Sequence, residues 1–202
     1  MDYQEKEIKL CIRDLPALEA RLRISGADLV RERTLESNFR LDTPEKSLKK
    51  GGRLLRIRKD DKVWVAYKDR GHVEEGVVTR REIEFVASDL ETVMQFFKAL
   101  GYGVVAFYEK YRTVYHFGDV EVALDELPYG DFMEIEAPNN ILIEGVVQML
   151  GLDWSKRINT NYLGLLENAK KSAGLTFKEL TFENFAAVEI SELDLGVEHA
   201  DT

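Results

Sequence analysis

Two carboxylate pairs in this sequence have the spacing of a metal site built on β-strands. Glu5 and Glu7 alternate with Lys9 near the N-terminus, and Glu134 and Glu136 repeat the pattern much later in the chain. Because alternate side chains of a strand point to the same face, each pair would present its carboxylates side by side. Such hard oxygen ligands suit Mg²⁺ or Mn²⁺, which share the oxygens of a bound phosphate. A single Glu-x-Glu is more often a solvated strand face, so the metal site depends on both pairs.

Basic residues repeat with the same spacing in other segments. Arg56 alternates with Arg58, Lys110 alternates with Arg112, and Lys68 ends a short apolar run. Arginine offers fork-shaped donors to phosphate oxygens, and lysine offers a compact point charge. Together with Lys9 they make six cations beside four carboxylates, which indicates a site for a polyanion bound with a metal ion.

The elements that must position these residues are predicted to be β-strands with one ionic and one aliphatic face. Eight segments alternate in this way: residues 3–11, 37–42, 53–59, 62–69, 78–86, 106–117, 119–126 and 131–137. Alternation alone favours the commoner arrangement, an antiparallel sheet with one solvated face. Repeated Glu-x-Glu and Arg-x-Arg are unusual on such a face, however, and about eight strands can close into a barrel. We therefore expect a closed eight-stranded antiparallel β-barrel, or tunnel, with a polar interior.

Four amphipathic helices are predicted to clothe the outside of this barrel, which makes the fold class α+β. Asp14 caps the first helix, and the capping-box spacing of Ser88 and Glu91 starts the second. Pro138 introduces the third, and the fourth spans about residues 160–171. Their apolar stripes need an apolar surface to cover, so the ionic faces of the strands should point into the barrel.

The net charge of −9 comes mostly from the end of the chain. The last 24 residues, from Glu179 to Thr202, hold seven acidic residues and no Lys or Arg, which leaves 28 basic and 30 acidic residues in 1–178. We therefore expect one barrel domain over 1–178 and an acidic C-terminal tail over 179–202. Apolar residues at 175–185 could dock on the barrel or on a second subunit, whereas the chain after about Glu189 is expected to be solvated and disordered.

Composition also excludes several classes of function. A nearly balanced body argues against a nucleic-acid partner, which usually requires a basic face. No segment approaches the roughly 20 apolar residues of a membrane span, and the N-terminus lacks a signal-peptide core, so a cytoplasmic location is expected. Cys11 and three scattered histidines offer no zinc-ligand spacing. A metal site in this chain must therefore be built from oxygens.

Taken together and in order, the motifs resemble those of the CYTH superfamily, also called the triphosphate tunnel metalloenzymes. That family includes class IV adenylyl cyclases, thiamine triphosphatases and inorganic triphosphatases. The resemblance covers roughly residues 1–170 and implies an eight-stranded antiparallel tunnel clothed by helices. It is carried by Glu5-x-Glu7-x-Lys9, Leu55-Arg56-Ile57-Arg58, Tyr67-Lys68, Arg81-Glu82-Ile83-Glu84, Lys110-x-Arg112, Leu124-Asp125-Glu126 and Phe132-Met133-Glu134-Ile135-Glu136.

The resemblance implies a role for each group of residues. The implied ligands of Mg²⁺ or Mn²⁺ are Glu5, Glu7, Glu134 and Glu136, supported by Asp125. The implied triphosphate ligands are Lys9, Arg56, Arg58, Lys68, Arg80, Lys110 and Arg112. Glu82 and Glu84 are expected to line the tunnel, and with Lys9 they are the candidate catalytic residues.

Four other residues have two interpretations each. Tyr162 lies where relatives have a Ser-Tyr pair, so either a polar contact in the site or helix packing is expected. His116 could project inward, although a structural hydrogen bond is favoured. Trp64 and Phe39 could stack on an organic group, although core packing is favoured for both.

The leading functional hypothesis is metal-dependent hydrolysis of a triphosphate. The alternative is the class IV adenylyl cyclase reaction, in which the 3′-hydroxyl of ATP attacks the α-phosphate and expels pyrophosphate. A second alternative is a module that binds polyphosphate or a nucleotide without turnover. The expected partner is a small-molecule triphosphate, with the chain acting as a monomer or a homodimer.

Overall fold

The strands of this protein form one antiparallel sheet that closes into a ring. The computed structural model describes residues 4–74 and 76–201, with the backbone alone for Gln4, Glu5 and Glu74. Its strands are β1 Gln4–Ile12, β2 Asp28–Asp42, β3 Leu54–Lys59, β4 Val63–Lys68, β5 His72–Glu74, β6 Val77–Ala87, β7 Gly103–Phe117, β8 Val120–Leu127 and β9 Gly130–Glu136. Neighbours pair in the order β1-β9-β8-β7-β2-β3-β4-β6, and β6 pairs back onto β1. The ring therefore runs through eight strands, as expected, and the short β5 extends it beside β6.

Helices cover part of the apolar outer face of this ring. They are α1 Leu15–Ile24, α2 Ser47–Lys50, α3 Leu90–Ala99, α4 Asn140–Met149, α5 Tyr162–Ala173, α6 Phe182–Phe185 and α7 Glu192–Leu195. Leu18 of α1 and Ile143 of α4 are fully buried in one cluster with Leu10, Val122 and Ile135 from β1, β8 and β9. Because the aliphatic side of each strand is covered in this way, the alternate residues of β1, β8 and β9 point into the ring.

Asp89 caps α3, and this corrects the prediction that Ser88 would. The carboxylate of Asp89 accepts a hydrogen bond of 2.8 Å from the backbone N–H of Thr92. The hydroxyl of Ser88 donates to that same carboxylate instead. Adjacent Ser and Asp can both cap a helix, so the register was ambiguous in the sequence. The predicted cap of α1 is confirmed, because Asp14 accepts from the N–H of Ala17 at 3.0 Å.

Two strands begin at least three residues earlier than predicted. β2 begins at Asp28 rather than at residue 37, and β7 begins at Gly103 rather than at 106. The register between them shifts near Leu29, Arg31 and Arg40, which marks β-bulges. A bulge breaks the period of two on which strand prediction depends.

The C-terminal segment, residues 175–201, packs on the ring. Leu180 bonds through its backbone to Phe107 and Glu109 of β7, and the N–H of Ala200 donates to the carbonyl of Cys11 in β1 at 2.9 Å. Leu180, Leu195 and Ala200 are almost fully buried. The expected disorder after about Glu189 is therefore wrong, whereas apolar residues of 175–185 do pack against the ring.

The physical reason lies in the stagger of the strands. The pairing of β7 with β8 stops at Tyr111, and that of β1 with β6 stops at Glu7. Backbone groups beyond those points need partners, and the C-terminal segment supplies them. None of the helices in the described part of the chain has the length and apolar composition of a transmembrane span.

Candidate active site

The interior of the ring holds a cavity of about 780 Å³ with an ionic lining. All but two of the predicted site residues line it. The charged lining residues are Glu7, Lys9, Arg40, Arg56, Arg58, Lys68, Arg80, Glu82, Glu84, Lys110, Arg112, Glu121, Glu134 and Glu136. The solvated-sheet interpretation is therefore wrong for these strands, since their ionic faces enclose a common space.

The two exceptions are Glu5 and Asp125. The side chain of Glu5 lies outside the described residues, although its backbone pairs with Arg80 between β1 and β6. Asp125 does not reach the cavity surface; its side chain is fully buried behind it. Its predicted role as a supporting residue of the metal site stays a prediction.

Asp125 organises the cations around it. It accepts hydrogen bonds from Lys110 Nζ at 2.8 Å, from Arg112 Nε at 2.6 Å and from the hydroxyl of Tyr162 at 2.7 Å. Burial raises the pKa of Asp125, but Arg112 and Lys110 outweigh that effect and hold the pKa below its ordinary value. The buried carboxylate therefore stays charged and fixes the direction of both cations.

Glu134 is paired in a similar way. Its carboxylate contacts Lys9 on one oxygen and Arg112 on the other. Burial raises its pKa, yet Lys9, Arg112 and Lys110 lower it well below the ordinary range. Lys9 lies on β1, which adjoins β9, whereas Arg112 lies on β7, on the far side of β8, so Glu134 links β1 to β7 across the inner face of the ring.

The other carboxylates of this side form a row across three strands. Glu7 lies opposite Glu136 between β1 and β9, and Glu136 lies opposite Glu121 between β9 and β8. Glu7 accepts from Arg80 at 2.6 Å. We call Glu7, Asp125, Glu134 and Glu136 the acidic wall.

The opposite side carries arginines. We call Arg40 of β2, Arg56 and Arg58 of β3, and Lys68 of β4 the cationic wall. Arg40 and Arg56 lie directly opposite each other in the register of β2 and β3. Within the described residues, neither makes an ion pair with a carboxylate. Burial, followed by the charges of Arg56 and Arg80, lowers the pKa of Arg40.

The remaining cations of the cationic wall do have acidic neighbours. Lys68 pairs with Glu82 at 2.9 Å. Arg58 lies 3.7 Å from Glu36 and 3.5 Å from Asp60. Burial lowers the pKa of Arg56, but Tyr108 first, and then Glu82 and Glu36, outweigh that effect and raise it. The wall is therefore partly compensated at Arg56, Arg58 and Lys68 and least compensated at Arg40.

Sequence reasoning missed three interior residues of β2. Arg40 lines the cavity, and Glu36 and Asn38 are fully buried beside it. Their alternation with Phe39 and Leu41 was a usable signal. Glu36 lies just before the predicted strand, which began at residue 37, whereas Asn38 and Arg40 lie within it but were not assigned to the site. Only Phe39 of this strand was considered.

The structure shows the surroundings of the four residues that had two interpretations. Tyr162 packs in the core and also enters the site, since its hydroxyl donates to Asp125 and its ring lies 4.1 Å from Lys9 Nζ. His116 lies 3.3 Å from Glu121, with 43% of its side chain exposed. Phe39 packs against Phe107, which confirms core packing. The ring of Trp64 lies 5.0 Å from the guanidinium of Arg58.

The donor set of the acidic wall fits a hard divalent cation. All its members are carboxylates, which Mg²⁺ and Mn²⁺ prefer. In the described part of the chain no three acidic, His or Cys side chains are already gathered as a metal cluster. Glu7 and Glu134 contact cations instead, so metal binding would require these carboxylates to exchange partners.

Fold and site together define a class of protein: an antiparallel ring of eight strands around an ionic cavity that suits a small polyanion. The CYTH domain family model matches residues 3–140, and this chain belongs to the CYTH domain family. Members of the family are triphosphatases or adenylyl cyclases, and its triphosphate tunnel enzymes generally depend on a divalent metal.

Relatives agree with this assignment. A Methanocaldococcus jannaschii protein named "putative adenylate cyclase" is 30% identical over 134 residues, which are 65% of this chain and 75% of the relative. A Pyrococcus furiosus protein has a similar structure, with a TM-score of 0.65 and 26% identity over 78% of this chain and 97% of the other.

Two further structures share the fold at lower identity. A "putative adenylate cyclase" from Vibrio parahaemolyticus has a TM-score of 0.71 and 19% identity, covering 83% of this chain and 99% of its own. A Hippeastrum adenylyl cyclase candidate, described as having a dominant triphosphatase activity, has a TM-score of 0.55 and 20% identity over 86% and 97%.

Proposed function

We propose that this protein hydrolyses a small triphosphate in a metal-dependent reaction inside the ring. The observation that carries the proposal is the cationic wall. Arg40 and Arg56 face each other at the cavity without a carboxylate partner among the described residues. Enclosed like charges are unfavourable unless a counter-charge joins them. A phosphate chain supplies several negative oxygens at the spacing of guanidinium forks.

Each group of residues then has a task. Arg40, Arg56 and Arg58 would bind phosphate oxygens from one side, and Lys110 and Arg112 would bind them from β7. In phosphoryl transfer most of the catalysis comes from positioning and from stabilising charge on the transferred group, so no nucleophilic side chain is needed. Glu82, which lines the cavity and is held by Lys68, is proposed to orient the attacking water.

The acidic wall is proposed to hold the metal. Glu7, Glu134 and Glu136, with Glu5 as predicted from the sequence, would bind Mg²⁺ or Mn²⁺, which neutralises phosphate charge when bound. Lys9 contacts Glu134 in the structure and would be released toward the phosphate when Glu134 changes partner. In hydrolysis the oxygen of water bonds to the terminal phosphorus, and the bridging P–O bond breaks with its electron pair leaving on the diphosphate part of the substrate. One proton of water passes to a base or to solvent.

One experiment separates the candidate functions. The purified protein is incubated with Mg²⁺ or Mn²⁺ and, separately, with tripolyphosphate, thiamine triphosphate and ATP. Orthophosphate release supports hydrolysis, whereas cyclic AMP with pyrophosphate indicates cyclisation. Tight binding with neither product indicates the non-catalytic module.

Two variants show whether the product comes from this cavity. Lys9→Ala and Glu7→Ala should abolish phosphate release while circular dichroism shows an intact fold. Arg33→Ala is the matched control, since Arg33 pairs with Glu126 outside the cavity. Near-normal turnover in both cavity variants would eliminate the proposed site.

Adenylyl cyclase activity is the second candidate because relatives carry that name. The charged residues would serve either reaction, since both act on a metal-bound triphosphate. Cyclisation also requires a site for adenine, and the aromatic lining of the cavity comes from Tyr108 and Tyr162. The hydroxyl of Tyr162 is already committed to Asp125, so we place hydrolysis first.

A further inference from the structure

Glu36 is a buried carboxylate that the proposed reaction does not yet use. Its side chain is fully buried. Within the described residues neither of its oxygens accepts a hydrogen bond of good geometry. Three cations surround it instead: Arg31 at 3.0 Å, and Arg58 and Lys110 at 3.7 Å each. Since an enclosed charge without hydrogen bonds is unfavourable by itself, its cationic neighbours must account for it.

The bulge in β2 brings these groups together. Register shifts on both sides of Arg31 let it reach Glu36 of its own strand and Asp60 in the turn after β3, at 2.7 Å. Asp60 in turn lies 3.5 Å from Arg58. Arg31, Glu36 and Asp60 therefore form a brace behind the cavity, and Arg58 is held between two of its carboxylates.

The two other contacts of Glu36 point toward the site. Arg58 and Lys110 both line the cavity, and they come from β3 and β7, the two neighbours of β2. Lys110 is shared between Asp125 at 2.8 Å and Glu36 at the longer distance of 3.7 Å. Lys110, Arg112 and Arg58 also lower the pKa of Glu36 against the effect of burial, so the carboxylate is charged.

We propose that Glu36 is a positioning residue, the buried counter-charge that holds Arg58 and Lys110 in place for the phosphate chain. This inference rests on the proposed function. The long separations from both cations leave them able to bind a polyanion without leaving Glu36 unpaired. Preorganised charges of this kind act mainly on the transition state, because they need not rearrange as charge develops.

Glu36→Gln tests the proposal, because it keeps the shape and removes the charge. We expect kcat for tripolyphosphate to fall by about 10- to 100-fold, with KM changed by less than about threefold. KM changes little because the lost carboxylate also makes the cavity more positive, which offsets weaker positioning in the ground state. Glu36→Asp restores the charge with a shorter side chain and should recover part of kcat.

The matched control is Glu126→Gln. Glu126 lies on β8 and pairs with Arg33 of β2, the strand that also carries Glu36. The pair lies on the outside of the ring. Its kcat should stay within about twofold of wild type, because removing an exposed pair has little effect. A kcat for Glu36→Gln equally close to wild type would overturn the proposal, whatever the change in Tm. Should Glu36→Gln fail to fold, Glu36→Met, which also removes the charge and has a similar volume, takes its place, and a kcat within about twofold of wild type would overturn the proposal equally.

Calorimetric binding of tripolyphosphate distinguishes this failure from a failure of the proposed function. Wild-type protein that neither binds nor hydrolyses a triphosphate removes the proposed function and this inference with it. Wild-type protein that binds and hydrolyses, beside a Glu36→Gln variant of equal kcat, removes this inference alone.

Discussion

The acidic and cationic walls have the same strand geometry but differ in how their charges are compensated. On the acidic wall Glu134 contacts Lys9 and Arg112, Asp125 binds Lys110 and Arg112, and Glu7 binds Arg80. On the cationic wall Arg40 and Arg56 oppose each other without a carboxylate partner in the described part of the chain.

This difference separates groups that hold the site together from groups that await a ligand. A paired buried charge contributes to the folded structure, and removing one partner leaves the other uncompensated. An unpaired cation contributes little to folding and is available to a polyanion. The two walls should therefore respond in opposite ways to loss of charge.

Arg40→Gln should give the largest effect on activity. We expect kcat/KM for the triphosphate to fall by about 100-fold or more, because a fork-shaped donor to phosphate is lost. Stability to urea should stay equal or rise, because burial and the charges of Arg56 and Arg80 disfavour the charge of Arg40. Steady-state kinetics and urea unfolding measure the two quantities. Normal kcat/KM in a folded Arg40→Gln, compared with the control Arg33→Gln, would contradict the assignment of the cationic wall.

Glu134→Gln should show the opposite sign in stability. Lys9 and Arg112 then lose a carboxylate partner. We expect the free energy of unfolding at pH 7 to fall by about 2–3 kcal/mol, which is less than for a fully buried pair because Glu134 is partly exposed. The same change at Glu126, in the outer pair with Arg33, should cost less than about 1 kcal/mol. Urea titrations of both variants and wild type make the comparison.

The pH dependence of this loss follows from the lowered pKa of Glu134. A carboxylate with a depressed folded pKa stabilises the protein above its unfolded value of 4.5, and the contribution disappears as pH falls through the folded pKa. The difference in stability between wild type and Glu134→Gln should therefore begin to shrink as pH falls below 4.5. The measurement compares the unfolding free energies of wild type and Glu134→Gln at pH 7 and at a pH below 4.5 where both stay folded. An equal difference at the two pH values would show that the charge of Glu134 is not what stabilises the acidic wall.

Tyr162→Phe should have a smaller effect. It removes one donor to the buried Asp125, which keeps Lys110 and Arg112. We expect a loss of about 1–2 kcal/mol in unfolding free energy and a modest fall in kcat/KM. Tyr102→Phe, between α3 and β7 and against Phe97, is the control for removing a tyrosine hydroxyl. Equal losses in the two variants would argue against a role for Tyr162 beneath the acidic wall.

Asp131→Asn should give the smallest effect, and a stabilising one. Burial first, and then Glu126, raise the pKa of Asp131 to about 6. Because its folded pKa lies above the unfolded value, the charged form destabilises the protein as pH rises toward 7. The variant should gain on the order of 1 kcal/mol at pH 7 after allowance for solvent screening, and less at pH 4. A gain that does not depend on pH would place the cause in packing.

Much of the site could be predicted from the sequence because period-two alternation survives in straight strands. Glu7 and Lys9 of β1, Arg56 and Arg58 of β3, and Glu134 and Glu136 of β9 all share a face, as their spacing requires. The first half of β2 was not predicted as a strand, because its charges fall on both faces and its bulges break the period of two. Glu36 fell outside the predicted strand for that reason, whereas Arg40 lay within it but was not assigned to the site.

The ordered structure of the C-terminal segment was not predicted for a different reason. Its helices α6 and α7 have four residues each, too short for a periodic signal, and its acidic composition is typical of disorder. The segment is ordered because it bonds to backbone groups at the edges of β1 and β7. Both strands lie more than 70 residues earlier in the sequence.

The sequence by itself determined which residue types alternate along each strand, where the main helices begin, and that the interior charges suit a metal and a polyanion. Only the tertiary structure decided which charges meet, because cross-strand partners are set by the order and stagger of strands around the ring. Arg40 faces Arg56, and Glu134 lies between Lys9 and Arg112, through contacts that no local pattern encodes.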